Sequence, residues 1–114
     1  MKRGNFMLEV SKKDWKLFRE KIADWQEAYM ERLNGEYIEL LKNGEGTASD
    51  RFWMLDERLK KDKHSPGVQI CLSKGEMLYD IVLLIRDGVI TMKDLNDFNQ
   101  DIRDAVALLL ERNV

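Results

Sequence analysis

The single histidine, His64, and the single cysteine, Cys71, are the first residues to weigh for chemistry. A thiol activated by an imidazole base is a nucleophile, and the two side chains need only meet in space. Nothing around them supports that pairing. His64 stands in the polar turn His64-Ser65-Pro66-Gly67, and Cys71 in the alternating stretch Val68-Gln69-Ile70-Cys71-Leu72. They read as a surface histidine and an inert, half-buried thiol. One of each cannot complete a His/Cys zinc site within one chain. A carboxylate-bridged di-iron bundle needs Glu-x-x-His pairs on two helices, which this sequence lacks. Gly44-Glu45-Gly46 has neither the preceding strand nor the later residues of a phosphate-cradling loop. No catalytic residue, cofactor or metal site is therefore expected.

The carboxylates offer a second pattern. Asp94, Asp97, Asp101 and Asp104 are spaced three, four and three, which on a helix makes a stripe beside the apolar one. Hard divalent cations take carboxylate oxygens, but this spacing gives a line and not a cage, and no EF-hand loop is present. A solvated face is the plain reading. The sharper one makes Asp97, Asp101 and Asp104 a surface for a basic partner, while Asp94 supports the helix start. The expected third helix, the turn Asp87-Gly88-Val89-Ile90-Thr91 and the expected fourth helix also have helix-turn-helix proportions. The second of these helices carries only Lys93 and Arg103 against four Asp, and phosphate repulsion argues against groove entry. The cations Lys12, Lys13, Lys16, Arg19 and Lys21 could touch nucleic acid, but they interleave with Asp14 and Glu20 as on a solvated amphipathic helix.

Elements must position these groups, and their boundaries are written locally. Val10-Ser11-Lys12-Lys13-Asp14-Trp15 places a hydroxyl at the N-cap, an acid three residues on, and apolar residues at the flanking positions. Leu72-Ser73-Lys74-Gly75-Glu76-Met77 and Ile90-Thr91-Met92-Lys93-Asp94-Leu95 repeat the pattern. The hydroxyl accepts from the N3 amide, and the acid suits the positive helix end. From about Lys12 the first helix carries Trp15, Phe18, Ile22, Trp25, Tyr29 and Leu33 at spacings of three or four. It either ends at Asn34-Gly35 or, as we favour, continues through Tyr37, Leu40 and Leu41 to Asn43-Gly44. Continuous, it would span roughly 45 Å, against a radius of gyration near 13 Å for a compact chain of this size. Its apolar end would then need a kinked return or a second chain.

A second helix starts near Ser49-Asp50, is expected to bury Phe52, Leu55 and Leu59, and ends in the basic cluster around Lys60 and Lys61. Phe6 to Val10 and Val68 to Leu72 are β-prone and could pair as a minimal two-stranded ribbon. A third helix, Lys74 to Asp87, has the widest apolar arc and closes at Gly88. A fourth runs from Met92 to about Arg112 on Leu95, Phe98, Ile102, Ala105, Val106 and Leu109.

At 114 residues the chain reads as one domain, residues 1–114. A hydrophobic fraction of 44% with three Trp, three Tyr and four Phe supplies a core and argues against disorder. The longest apolar run, Ile81 to Ile85, is too short to span a bilayer, and the first residues lack a signal peptide's apolar stretch. A lone cysteine suits a reducing cytoplasm. The net charge of −2 is a gradient of about +4 over residues 1–21, −2 over 22–75 and −4 over 76–114.

With Pro66-Gly67-Val68, Gly88-Val89-Ile90-Thr91 and Asp94-Leu95, the chain resembles small uncharacterised helical proteins of bacterial chromosomes and mobile elements. The resemblance covers about residues 11–106 and implies no activity. The expected fold is mainly α, a compact four-helix bundle-like domain with a long first helix and room for the two-stranded ribbon. The expected function is that of a non-catalytic protein-interaction or regulatory protein acting through a helix face, with a homodimer as one form. The alternatives are a nucleic-acid-associated regulator using the basic N-terminal third and, least favoured, an Asp/Glu-based metal-dependent enzyme.

Overall fold

The computed structural model describes residues 9–112, and helix makes up 73% of it. Four α-helices follow in order: α1 (Lys12–Asn43), α2 (Ala48–Asp62), α3 (Met77–Arg86) and α4 (Gln100–Glu111). Short 3-10 turns at Lys74–Glu76 and Met92–Leu95 precede α3 and α4.

Ser11 caps α1 as its hydroxyl accepts from the Asp14 amide at 3.0 Å. Asp14 does more than support that cap. It is 4% exposed, and its other carboxylate oxygen accepts from the Asn99 amide at 3.2 Å, tying the start of α1 to the start of α4. The α1 helix then runs unbroken through Asn34-Gly35, and α2 returns alongside its C-terminal part. Between them Gly46 takes a positive φ of 92°, and Thr47 and Asp50 form a reciprocal capping box, so α2 begins at Ala48, one residue before the expected Ser49-Asp50 start. Helix α3 ends at Gly88 (φ 77°), where the Val89 amide donates back to the Leu84 carbonyl at 2.8 Å.

The core lies where the N-terminal part of α1 meets α3, the Met92–Leu95 turn and α4. Phe18, Met77, Ile81, Leu84, Leu95, Ile102 and Val106 are fully buried there. Each contributes about 1.5–3 kcal/mol of hydrophobic stabilisation. An aromatic chain Trp15–Phe18–Trp25–Phe98 runs across it with centroid separations of 6.1, 6.1 and 6.3 Å. Residues 63–73 form a strap over this body, fixed at Ser65. Its hydroxyl is hydrogen-bonded to the Asp87 carboxylate and accepts from the Gly67 amide at 3.0 Å, while Gln26 donates to the Pro66 carbonyl.

Three expectations change. The fourth helix does not run from Met92: a 3-10 turn covers Met92–Leu95, and α4 starts only at Gln100, where Asn99 caps it by accepting from the Asp101 amide. At Ser73 no side-chain cap forms, and a 3-10 turn replaces the first turn of the third helix. Val68 to Leu72 is not a strand, and among the described residues there is none; the rest of the expected ribbon, Phe6 to Leu8, lies outside those residues. The bundle is compact only in its body. The α1–α2 hairpin extends past it, giving extents of 55 × 25 × 22 Å and a radius of gyration of 17.0 Å.

Candidate protein-interaction surface

Two contacts set the hairpin register. Gly44 sits close to the Arg51 side chain, and the Arg58 guanidinium lies 5.5 Å from the Tyr37 ring centroid. Each step along α1 is thus matched by an equal step back along α2, which sets Leu40 opposite Leu55 and Leu33 opposite Asp62. The seam positions, Leu33, Tyr37, Leu40 and Gly44 against Arg51, Leu55, Arg58 and Asp62, are all buried or half-buried. Tyr37 donates to the Asp62 carboxylate at 2.5 Å, and burial together with that carboxylate pushes its phenol up to about 12.

At about 100° per residue, the positions flanking this seam divide into two faces. On one side lie Glu36 and Lys61, where Arg58 bridges to Glu36 at 2.7 Å and to Asp62 at 3.4 Å. A groove of about 680 Å³ opens on this side, lined by Arg32, Glu36, Arg58, Lys61, Asp62 and His64 among others. Its charges are balanced and largely engaged: Arg32 donates to the Gly88 carbonyl at 2.6 Å and Arg58 holds two carboxylates. On the other side lie Ile38 and Leu41 of α1 with Phe52 and Leu59 of α2. They are 57%, 44%, 60% and 37% exposed. Trp53, 61% exposed, meets Phe52 edge to face at 5.0 Å and widens this face along the outer side of α2. No family model, curated protein or solved structure matches the chain.

The hairpin therefore presents one polar and one apolar face, and among the described residues nothing covers the apolar one. This corrects the expectation that α2 buries Phe52, Leu55 and Leu59: α2 has no buried residue, and only Leu55 reaches the seam. The cause is geometric, since α1 shields one side of α2 and no other described residue packs on the next. A signal was present in the sequence. Phe52-Trp53-Met54-Leu55 wraps apolar surface around most of the helix circumference, more than one neighbouring helix can cover.

The carboxylates fare differently. Asp97 lies in the turn before α4 and pairs with Lys21 at 3.2 Å, while Asp101 and Asp104 stand on α4 itself, where Gln100 donates to Asp104 at 2.7 Å. All three are exposed, but the break at Asn99 separates Asp97 from the helix that carries the other two. Asp94 accepts from the Thr91 amide at 2.8 Å, a local turn contact. His64 and Cys71 are both exposed, which corrects the half-buried thiol, and no hydrogen bond joins them among the described residues. Within those residues no three His, Cys, Asp or Glu side chains gather as a metal site, and no helix is long and apolar enough to cross a membrane.

Proposed function

We propose that this chain is a non-catalytic protein-interaction protein that works through the apolar face of its α1–α2 hairpin. One observation carries the reading: Ile38, Leu41, Phe52 and Leu59 form a single side of a projecting element and are left open to solvent. Single exposed apolar residues are ordinary on protein surfaces, but contiguous patches mark contact sites. The large aromatics Phe52 and Trp53 beside it are residue types that carry binding energy disproportionately. The body below serves as the anchor that holds the hairpin out.

The test uses the whole chain as bait in a lysate, with Phe52→Ser/Trp53→Ser as the matched control. Because both residues are exposed, the variant keeps its helical circular dichroism and melting behaviour. Loss of the captured proteins from the variant supports the reading. An identical captured set from both baits overturns it.

A further inference from the structure

The hairpin's apolar face matches itself. Its apolar residues run from Phe52 to Leu59 along α2, about 10 Å of rise, with Ile38 and Leu41 level with them on α1. The body packs on the opposite side of α1, through Phe18, Ile22 and Trp25, so it does not obstruct approach to this face. The charges bordering the face are unlike on its two edges. On the α1 edge stand Glu27 and Glu31, both exposed, with Lys42 nearer the tip. On the α2 edge stand Lys60 and Lys63, both exposed, with Asp56 nearer the tip.

We propose that the occupant of this face is a second copy of the chain: two hairpins pack face to face as a four-helix bundle, tips pointing the same way, about a two-fold axis along the hairpin. This rests on the apolar hairpin face being a contact surface. In this arrangement α1 of each copy lies against α2 of the other, antiparallel. The hairpin register then brings Glu31 level with the second copy's Lys63 and within a turn of its Lys60, which pairs with Asp56 of its own chain at 3.0 Å. Lys42 comes within a turn of the second copy's Asp56. Ile38 and Leu41 fall against the second copy's Leu59 and Phe52. The opposite arrangement, tips apart with full overlap, sets α1 on α1 and α2 on α2 and takes Lys63 away from Glu31. The Glu31–Lys63 pairing therefore carries the orientation, as edge charges do in helical bundles.

Multi-angle light scattering with size-exclusion chromatography provides the test, reading mass against concentration. The expected species has twice the 13.5 kDa chain mass at micromolar concentration. Lys60→Glu/Lys63→Glu should weaken the dimer at least tenfold, and adding Glu27→Lys/Glu31→Lys in the same chain should restore it. All these side chains are exposed, so circular dichroism should show each variant folded. A 13.5 kDa species at every concentration up to 100 µM (roughly the weak end of useful association) overturns the second-copy proposal alone, and leaves the lysate comparison to decide the wider reading. A dimer whose charge-reversed form is not rescued overturns the orientation. A dimer indifferent to Phe52→Ser/Trp53→Ser places the interface elsewhere and overturns the proposal itself.

Discussion

Asp80 illustrates how one side chain can work against the fold that holds it. On α3 its Oδ2 is buried without a hydrogen-bond donor, and burial, with the Glu76 carboxylate adding to it, pushes the acid up to about 6. An unfolded Asp releases its proton near pH ~4. Between those values the folded state binds the extra proton, so stability falls as pH rises from about 4 to 6 and stays reduced above it. Asp80→Asn keeps the shape and removes the charge. It should therefore raise the melting temperature at pH 7.5, with the gain shrinking toward pH 4. Thermal unfolding of both proteins at the two pH values measures this. Equal melting temperatures at pH 7.5 would show that solvent already shields the carboxylate.

At the scale of elements, what was legible in the sequence is what is local. Ser11 with Asp14, and Gly88 after the third helix, carry their conformational reasons within a few residues, and both boundaries stand. The fourth helix was misplaced because Leu95, Phe98 and Ile102 keep helical spacing straight through its true start. The break comes from Asn99, whose amide is held by Asp14, a residue 85 positions away. No local pattern encodes such a contact. Likewise Phe52 and Leu59 have the spacing of a buried stripe, yet burial depends on what lies opposite, which spacing does not state. The candidate site was thus legible as apolar residues and illegible as exposed surface. Two glycines separate these effects. A Cβ at Gly67 would collide with the Tyr29 ring and come within 2.6 Å of Val89 Cγ2, forcing the strap off α1. A Cβ at Gly35, inside α1, meets nothing within 4 Å. Gly67→Ala should cost about 1–3 kcal/mol, whereas Gly35→Ala should gain about 0.5–1 kcal/mol by lowering the entropy of the unfolded chain. Melting temperatures moving in opposite directions would confirm the assignment; a harmless Gly67→Ala would mean that the strap yields at Tyr29 and Val89 without loss of stability.

Across the whole molecule, stability is divided unequally along the long axis. The body gathers nearly all the fully buried side chains, and α3 alone buries Met77, Leu78, Ile81, Val82 and Leu84. Helix α2 buries none and is held to α1 by Leu40 and Leu55, the Tyr37–Asp62 hydrogen bond and the half-exposed Arg58–Glu36 pair. An exposed ion pair adds only about 0–1 kcal/mol, so α2 opens at lower free energy than the body, in which α3 and α4 open together. Hydrogen exchange read by mass spectrometry should then show residues 48–62 exchanging well before 77–86 and 100–111 in dilute solution. Raising the protein concentration should slow exchange in residues 30–62 and leave the body unchanged, because a second hairpin covers the face that α1 cannot. Uniform protection in dilute solution would mean that hairpin and body unfold as one unit. Concentration-dependent slowing in α3 or α4 instead would move the contact to the exposed Tyr79, Leu83 and Leu108 of the body. The two outcomes lie on different peptides, so one exchange series separates them.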